Sequence, residues 1–557
     1  MIHQAPTILE ILCRRIETDG ERPALAVKQA GQYRWLTWND LATDIAQTVA
    51  ALVGLGVRPG DRVAHLSENR HEWIVLDFAI QAVAAVHVPI HAPLTGPQIA
   101  WQIRHSGAKV AIVSGPQQLA KLSPLAAEIP AEVAFAAYDA CPQGLAGRPA
   151  QALAELKAAA DLQAGIEAAC HARQATIAES LATILYTSGT TGEPKGVMLT
   201  QHNLATNALA TIAAFGCEED DLRLNFLPLS HIFARTCDLY CWLAGGTRMA
   251  IAEARETVVA DCQAIQPTIL NGVPHFYDRV FRALSDKGVA ETPGALRGLL
   301  GGAIRACCGG GAALPEHLFD YYQRQGVPLL QGYGLTETSP VISASSPAAY
   351  RRGASGRPIP DVEVRIAADG EILTRGPHVM LGYYENPAAT ADILHDGWLA
   401  TGDLGRLDED NFLYITGRKK EILVTLGGKN IAPVFLESLL TQDPLILQAL
   451  VLGDGRPCLS ALIVPDADRL AAEMAARKIE IASSAETLNH PQVVALFAER
   501  IRERLVDVSH YEQVQRFVLL PRGFTIEQAE MTAKLSLRRK VIEEHFAAEI
   551  ESLYRRG

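Results

Sequence analysis

The residues with the clearest potential for chemistry lie in the run YTSGTTGEPKGVMLT, residues 186–200, which combines hydroxyl side chains, glycines and a lysine. Glycines let backbone N–H groups approach an anion, hydroxyl groups add hydrogen-bond donors, and Lys195 adds a positive charge. A Walker loop is excluded because Gly196, rather than a serine or threonine, follows Lys195. The run predicts a loop that holds the phosphates of a nucleotide, and the alternative is a glycine-rich surface turn.

This run resembles the phosphate loop of the adenylate-forming (AMP-binding) superfamily, which includes acyl-CoA synthetases, luciferases and the adenylation domains of peptide synthetases. The resemblance implies that the loop binds ATP and that Lys195 is also one of the catalytic residues. It further implies that a Mg²⁺ ion is held by Thr187 and by a glutamate further along the chain. The implied ATP- and AMP-binding residues of this loop are Thr187, Ser188, Gly189, Thr190, Thr191, Gly192 and Lys195.

Two later segments resemble other nucleotide-contacting motifs of the superfamily. QGYGLTETSP, residues 331–340, carries Glu337, which the resemblance makes the catalytic and metal-binding carboxylate. This assignment suits the ion, because Mg²⁺ is commonly held by one or two carboxylates together with phosphate oxygens. RACCGGGAALP, residues 305–315, matches the segment that contacts adenine and ribose in related synthetases. The resemblance also implies that Tyr333 of QGYGLTETSP stacks on the adenine. The implied nucleotide contacts are Gly310, Gly311, Gln331, Gly332, Tyr333, Gly334 and Thr336.

The segment WLATGDLGRLDEDNFLYITGRKKEI, residues 398–422, carries Asp403 and Arg418. A carboxylate suits hydrogen bonding to the two ribose hydroxyls, and an arginine adds charge-assisted hydrogen bonds to ribose or phosphate. The resemblance assigns both residues to nucleotide binding and makes Lys420 the hinge of a mobile C-terminal domain. TLGGKNIAP, residues 425–433, resembles the loop that lines the CoA tunnel. The implied tunnel residues are Gly427, Gly428 and Lys429.

Two further catalytic candidates lie outside these motifs. NFLPLSHIFAR, residues 225–235, places His231 after an apolar segment, and the resemblance puts this histidine beside the reacting acyl carboxylate; a core histidine is the alternative. Near the C-terminus the superfamily has a catalytic lysine, but EMTAKLSLRRK places Ser536 at that position and Lys534 two residues earlier. Residues i and i+2 of a strand share a face and lie roughly 7 Å apart. We therefore expect Lys534 to take over the role, and the alternative is a surface lysine.

The elements that must position these segments alternate between helix and strand in the first part of the chain, which predicts an α/β fold with largely parallel sheets. Apolar residues before the phosphate loop predict a strand and those after it a helix, and the Ala-rich stretch around 140–175 also predicts helix. Turn residues between short strands predict a small β-rich subdomain at about 355–417. We expect an N-terminal adenylate-forming domain at residues 1–418 and a small mobile α+β domain at 419–557.

The bulk composition excludes some classes of function. A formal net charge of −12 over 557 residues argues against a general nucleic-acid binder, which would present a basic face. The 10 cysteines include no pairs at metal-binding spacing, so we expect reduced thiols. The N-terminus lacks the apolar core of a signal peptide, and no stretch reaches about 18 uninterrupted apolar residues. We expect a cytoplasmic monomer or homodimer without a transmembrane segment, with peripheral contact at the inner membrane surface left open.

The ordered motifs imply an AMP-forming acid–thiol ligase of the long-chain fatty-acid–CoA ligase type. Such an enzyme uses ATP and Mg²⁺ to convert a fatty acid to acyl-AMP and pyrophosphate, and then transfers the acyl group to CoA with release of AMP. FLPLSHIFAR and QPTILNGVPHFYDRVF favour the long-chain class, although His275 stands where many of its members have arginine. Two alternatives stay open: a fatty acyl-AMP ligase that loads an acyl carrier protein, and a non-catalytic nucleotide- or acyl-binding homologue.

Overall fold

The computed structural model describes residues 6–187, 194–426, 429–479, 487–525, 527–531 and 537–555. In chain order the helices are α1 (Ile8–Asp19), α2 (Trp38–Gly54), α3 (His71–Ala82), α4 (Gly96–His105), α5 (Pro116–Leu122), α6 (Leu153–Ala159), α7 (Leu162–Ala175), α8 (Gln201–Phe215), α9 (Ile232–Ala234), α10 (Cys241–Gly245), α11 (Val258–Ile265), α12 (Pro274–Asp286), α13 (Ala295–Leu299), α14 (Glu316–Arg324), α15 (Pro387–Ala391), α16 (Pro433–Leu440), α17 (Ala467–Ala476), α18 (Pro491–Arg504), α19 (Arg539–His545) and α20 (Ala547–Arg555). A π-helix, Arg235–Tyr240, joins α9 to α10.

The strands lie between these helices. In chain order they are β1 (Pro23–Gln29), β2 (Gln32–Thr37), β3 (Arg62–Ser67), β4 (Val86–His91), β5 (Ala108–Val113), β6 (Ala134–Ala137), β7 (Cys141–Leu145), β8 (Arg148–Ala152), β9 (Leu181–Thr187), β10 (Lys195–Thr200), β11 (Leu222–Asn225), β12 (Arg248–Ile251), β13 (Ile269–Gly272), β14 (Ala306–Gly309), β15 (Leu329–Gly334), β16 (Val341–Ala344), β17 (Arg357–Pro358), β18 (Glu363–Ile366), β19 (Glu371–Arg375), β20 (Gly382–Tyr383), β21 (Leu394–His395), β22 (Trp398–Leu407), β23 (Leu413–Arg418), β24 (Leu423–Val424), β25 (Asn430–Ile431), β26 (Ile446–Leu452), β27 (Leu459–Pro465) and β28 (Val514–Leu519).

Helix α2 shows how the local sequence sets such an element. Its N-cap residue is Thr37, whose Oγ1 accepts a hydrogen bond from the Asp40 backbone N–H at 3.1 Å. The Asp40 carboxylate in turn accepts a hydrogen bond from the Thr37 backbone N–H at 2.8 Å, and this reciprocal pair is a capping box. Leu41 and Ile45, four residues apart on one helical face, are buried. The cap therefore fixes where the helix begins, and the apolar face fixes which side packs inward.

Two large sheets organise the first part of the chain. The first has the strand order β17-β16-β15-β14-β13-β11-β12-β1-β2, and its neighbours from β15 to β1 are parallel. The second has the order β20-β10-β9-β4-β3-β5-β6-β8-β7, and its neighbours from β9 to β8 are parallel. Helices cover these sheets, so the predicted α/β class with largely parallel sheets is confirmed.

The surroundings of the phosphate loop differ from the prediction. A strand does precede the loop, but the chain that follows forms the second strand β10, antiparallel to β9, before α8 begins at Gln201. The predicted helix is confirmed as α8, but the strand that separates it from the loop was not predicted. The short segment KGVMLT is buried at several positions as an inner strand between β9 and β20, and its brevity hid it beside the longer helical pattern of α8.

Two other stretches depart from the predicted elements. The part of the Ala-rich stretch nearest its start forms the hairpin of β7 and β8, and helix begins only at Leu153 with α6. Further on, the short strands form a five-stranded sheet of β18, β19, β22, β21 and β23. Within the expected β-rich range, β17 and β20 instead extend the first and second large sheets.

The end of the chain has its own core. Strands β26, β27 and β28 form a three-stranded sheet, and α16 and α18 lie in the same part of the chain. The apolar clusters here contain residues from Leu423 onward, such as Leu436 and Phe497, whereas the clusters of the earlier sheets end at Leu399. Across the described ranges, no helix is long and apolar enough to span a membrane.

Candidate active site

Several candidate residues follow the carboxyl ends of parallel strands in the first sheet. Gly310 and Gly311 come directly after β14, and Glu337 lies in a 3₁₀ turn just after β15. His231 follows β11 in the same sheet. Open α/β sheets bind their ligands beyond the carboxyl ends of their strands, so this edge is the natural place for a nucleotide. Gln331, Gly332, Tyr333 and Gly334 themselves form the end of β15, rather than a loop.

The structure brings together Thr187, Lys195 and Glu337 through a residue that the sequence did not single out. Tyr383 on β20 donates a hydrogen bond from its hydroxyl to Glu337 Oε1 at 2.7 Å. The Lys195 Nζ lies 4.7 Å from the centroid of the Tyr383 ring. Thr187 pairs with Lys195 at the base of the β9–β10 hairpin. We call Thr187, Lys195, Glu337 and Tyr383 the nucleotide-edge cluster.

Backbone hydrogen bonds hold Tyr383 in this position. Val197 pairs with Tyr383 between β10 and β20, and the Tyr384 N–H donates to the Gly196 carbonyl at 2.7 Å. On the other side, the Met380 N–H donates to the Glu337 carbonyl at 2.9 Å. In the sequence, Tyr383 is only a tyrosine within a short strand pattern. This pattern does not indicate contacts with Glu337 or Lys195, which lie far away along the chain.

A second group joins the β-rich sheet to the end of β15. The Tyr333 hydroxyl donates to Asp403 Oδ2 at 2.8 Å, and Arg418 Nε donates to Asp403 Oδ1 at 2.9 Å. Burial alone would lower the pKa of Arg418, but the charge of Asp403 outweighs it and raises that pKa. Asp403 is buried and each of its oxygens keeps further lone pairs, so it can still accept hydrogen bonds from a ligand. The structure thus brings these three candidates together.

Two positions at this edge require glycine because atoms of other residues approach their backbone closely. A Cβ atom at Gly334 would lie 1.7 Å from the Pro340 carbonyl oxygen, which no side chain can tolerate. A Cβ atom at Gly310 would lie 2.9 Å from the Phe233 ring, so the ring packs directly on the glycine backbone. These contacts explain the residue type at both positions and place Phe233, just after His231, against the end of β14.

His231 is the N-cap residue of α9, and its Nδ1 accepts a hydrogen bond from the Phe233 backbone N–H at 3.2 Å. A neutral imidazole in this arrangement carries its proton on Nε2. The preceding turn is held by Asn69, whose Nδ2 donates to the Leu227 carbonyl at 2.6 Å and whose Oδ1 accepts from the Leu229 N–H at 2.9 Å. Asn69 is a second residue that the sequence did not indicate.

A buried acid lies behind that turn. Asp238 in the π-helix accepts hydrogen bonds from Asn225 Nδ2 at 2.8 Å and from Asn271 Nδ2 at 2.6 Å. Burial raises the pKa of Asp238 to about 6, even though the two amides and Arg223 act in the opposite direction. Asn69 also donates to Asn225 Oδ1 at 2.8 Å, so the acid is linked to the turn before His231.

A larger charged group is buried next to the π-helix. Arg235 pairs with Asp77 of α3, and both side chains are 0% exposed. His87 Nδ1 lies 2.6 Å from Asp77 Oδ1, and the Tyr240 hydroxyl donates to Asp77 Oδ2 at 2.9 Å. Burial, followed by the charge of Arg235, lowers the pKa of His87 to about 4, so this imidazole is neutral at pH 7. We call Asp77, His87, Arg235 and Tyr240 the buried network.

The remaining candidates are placed as follows. Lys420 is exposed in the 3₁₀ turn that follows β23, and its neighbour Lys419 pairs with Asp369 at 2.7 Å and with Glu371 at 2.8 Å. Lys429 Nζ lies 5.4 Å from the centroid of the Tyr511 ring. Ser188, Gly189, Thr190, Thr191, Gly192, Gly427, Gly428 and Lys534 lie outside the described residues.

The nucleotide-edge cluster fits a magnesium ion better than a transition metal. Within the described ranges, no group of three or more His, Cys, Asp and Glu side chains could hold a metal. Mg²⁺ needs no such group, since it is commonly held by one or two carboxylates with phosphate oxygens and waters as its other ligands. Glu337 and the hydroxyl of Thr187 are donors of the right hardness for this ion.

Comparison with known proteins gives the class. Residues 12–384 match the family model described as AMP-binding enzyme, and residues 420–557 match the AMP-binding enzyme C-terminal domain. This chain belongs to the AMP-binding enzyme family.

Among its relatives, the chain is similar to the long-chain-fatty-acid–CoA ligase FadD15 of Mycobacterium bovis, with 35% identity over 94% of this chain and 93% of the relative. It is also similar to the peroxisomal long chain acyl-CoA synthetase 7 of Arabidopsis thaliana, with 28% identity over 99% of this chain and 85% of the relative. Both relatives are matched over most of their length.

Solved structures share the fold. The anthranilate CoA ligase AuaEII in complex with anthranoyl-AMP has a TM-score of 0.79 at 21% identity and is matched over 99% of each chain. The O-succinylbenzoate coenzyme A synthetase of Bacillus subtilis in complex with ATP and magnesium ion has a TM-score of 0.72 at 23% identity, over 95% of this chain and 98% of that one.

Proposed function

We propose that this chain activates a long-chain fatty acid with ATP to form acyl-AMP and pyrophosphate, and then transfers the acyl group to coenzyme A with release of AMP. The observation that carries the proposal is the 35% identity to a long-chain-fatty-acid–CoA ligase over 94% of the chain. The convergence of Thr187 and Lys195 from the second large sheet with Glu337 from the end of β15 in the first sheet supports it from the side of geometry.

In this proposal the nucleotide lies along the carboxyl edge of the first sheet. Asp403 accepts hydrogen bonds from the ribose hydroxyls, and Arg418 orients that carboxylate through its own hydrogen bond. Tyr333, which is tied to Asp403 by its hydroxyl, presents its ring to the adenine. Thr336 and the glycines at 310, 311, 332 and 334 form the surrounding backbone surface.

The first step joins a carboxylate oxygen to the α-phosphorus of ATP and breaks the bond to pyrophosphate. Lys195 and Thr187 face the departing phosphates and stabilise the charge that develops there. His231 donates from Nε2 toward the acyl carboxylate, because its Nδ1 is occupied by the Phe233 N–H. Magnesium, when held by Glu337 and Thr187, neutralises phosphate charge. Lys534 supplies the positive charge that the superfamily lysine provides elsewhere.

The second step needs a different face of the C-terminal part. We place the domain boundary at residues 418–419 and the hinge at Lys420, because the apolar clusters on either side of this turn share no residues. Rotation about the hinge brings the loop with Gly427, Gly428 and Lys429 to the CoA thiol, which attacks the acyl carbon and releases AMP.

Product analysis tests this function. The full chain is incubated with ATP, Mg²⁺ and saturated fatty acids of graded length, with either CoA or an acyl carrier protein as acceptor. The expected result is acyl-CoA, formed fastest with long-chain acids. Acylated carrier protein without acyl-CoA would favour the acyl-AMP ligase, and no AMP formation with any acid would favour a non-catalytic homologue.

The setting of the reaction is part of the proposal. We infer a cytoplasmic enzyme whose thiols are reduced and which contacts the inner membrane surface only peripherally, as a monomer or homodimer. Sedimentation of the purified chain with and without vesicles tests the oligomeric state and the contact with the membrane surface.

A further inference from the structure

Tyr383 has no role in the scheme above, yet it touches both charged members of the nucleotide-edge cluster. Its side chain is 6% exposed, its hydroxyl donates to Glu337 Oε1, and its ring lies under Lys195 Nζ. The Tyr383 hydroxyl is the donor in this hydrogen bond, because a carboxylate oxygen can only accept. One side chain therefore links the metal-binding carboxylate to the phosphate-binding ammonium.

This link removes freedom from Glu337. A glutamate on a surface turn samples several rotamers, but a hydrogen bond at 2.7 Å from a buried tyrosine selects the one in which Oε1 faces Tyr383. The described residues donate no hydrogen bond to the second oxygen, Oε2, so this oxygen has capacity for another ligand. The carboxylate is thus oriented with one oxygen anchored and the other presented.

The same side chain also constrains Lys195. A cation over a tyrosine ring is attracted by about 0.5–2 kcal/mol, depending on how well water is excluded. Within the described part of the chain Lys195 has no carboxylate partner, so its charge is available to an anion while the ring limits where the ammonium can lie. The two contacts use different parts of Tyr383, the hydroxyl and the ring face, and can be separated by substitution.

We propose that Tyr383 is a positioning residue that holds the Glu337 and Lys195 side chains where a magnesium–triphosphate ligand can contact both of them. This inference rests on the proposed function, because it assumes that the cluster binds ATP with Mg²⁺. It predicts that the hydroxyl governs the dependence of ATP binding on Mg²⁺ and that the ring governs the affinity for the phosphates themselves.

Calorimetric titration of ATP at graded Mg²⁺ concentrations, without fatty acid so that no reaction proceeds, provides a readout separate from activity. For Tyr383→Phe we expect the Mg²⁺ concentration that gives half-maximal ATP affinity to rise at least about tenfold, as fits loss of one hydrogen bond to a charged group. Tyr384→Phe is the matched control, since its ring lies beside His105 at 5.7 Å, and it should behave as the wild type. Tyr383→Leu should also weaken ATP binding at saturating Mg²⁺.

A second pair of variants guards against misfolding of the first. In a Glu337→Asp background the shorter carboxylate cannot reach the tyrosine, so adding Tyr383→Phe should change the Mg²⁺ dependence less than twofold. Equal Mg²⁺ dependence in wild type and Tyr383→Phe, or equal effects of Tyr383→Phe in both backgrounds, would overturn the inference. If the wild type itself shows no Mg²⁺-dependent ATP binding, the proposed function fails instead, so the two failures are distinct.

Discussion

The nucleotide-edge cluster and the buried network contain similar residue types, but the carboxylates in the two groups have different numbers of hydrogen-bond and ion-pair partners. In the buried network, the Asp77 carboxylate is met by Arg235, His87 and Tyr240, all within the core. In the nucleotide-edge cluster, Glu337 is met by one tyrosine hydroxyl at a partly exposed edge. A charge that is already paired and removed from water stabilises a structure only while it stays paired, whereas a charge with capacity left can bind a ligand.

This contrast separates stability from catalysis. Arg235 lies one helical turn after His231, so a catalytic role for it is tempting from sequence position alone. Its Nη1 donates to Thr183 Oγ1 at 2.8 Å, and its Nη2 forms hydrogen bonds with Asp77 and His87. The arginine therefore fastens the π-helix to the second sheet, and it supports His231 indirectly.

The largest expected effect comes from breaking the buried network. Asp77→Leu leaves the Arg235 charge buried without its partner and should lower the free energy of unfolding by about 3–5 kcal/mol. Urea denaturation measures this change. The matched control is Glu363→Gln, which breaks an exposed pair with Arg375 whose side chains are 58% and 46% exposed and should leave the urea midpoint close to that of the wild type. Equal losses of unfolding free energy in the two variants would show that the buried network contributes no more to stability than an exposed ion pair does.

The next largest effect should appear in catalysis alone. Glu337→Gln keeps the shape of the side chain and an oxygen for the Tyr383 hydroxyl, but it removes the negative charge. We expect the rate of adenylate formation to fall about 100- to 1000-fold, as when one electrostatic contact to a transition state is lost. The urea midpoint should stay close to that of the wild type. A variant that is active but unstable would contradict the assignment of Glu337 to ligand binding.

A smaller effect is expected at the turn before His231, which lies outside both regions. Asn69→Ala removes both hydrogen bonds that hold the turn before His231 and should cost about 1–2 kcal/mol of stability. Because His231 loses its support, kcat/KM for the fatty acid should fall about tenfold. Calorimetry should find ATP binding unchanged, and a matching loss of ATP affinity would mean that Asn69 acts on the whole edge.

The last expected effect, which concerns stability alone, is a pH dependence that arises from Asp238. Its pKa in the folded chain is raised to about 6, so between the unfolded value near 4 and about 6 the folded state binds more protons. Stability should therefore decrease as pH rises through this window, by up to about 3 kcal/mol. Asp238→Asn should remove this part of the slope in urea titrations from pH 4 to 7. An unchanged slope would mean that another group titrates there.

Contiguous motifs in the sequence identified some of the candidate residues that the structure brings together. Tyr333, Asp403 and Arg418 were assigned to one ligand, and the structure places them within hydrogen-bonding distance of one another. Tyr383 and Asn69 could not be found in this way, because their partners are distant along the chain and are brought close only by strand pairing and packing. These two residues can be recognised only once the tertiary structure is known.

The fold shows the same division. Long helices such as α2 and the strands β3 and β5 follow from periodicity, since each has an apolar face or a buried run. Strand β10 was missed because six residues are too few for a clear period and the longer pattern of α8 follows at once. Its existence depends on neighbours on both sides, which single-sequence periodicity does not contain.

The most direct test of the central claim is the exchange of labelled pyrophosphate into ATP, driven by a long-chain fatty acid. It reports adenylate formation without requiring the second step. We predict acid-dependent exchange by the wild-type chain and exchange reduced at least about 100-fold in Glu337→Gln. Absence of exchange with every acid tested, or equal exchange by Glu337→Gln, would contradict the proposal that this sheet edge is an adenylating site.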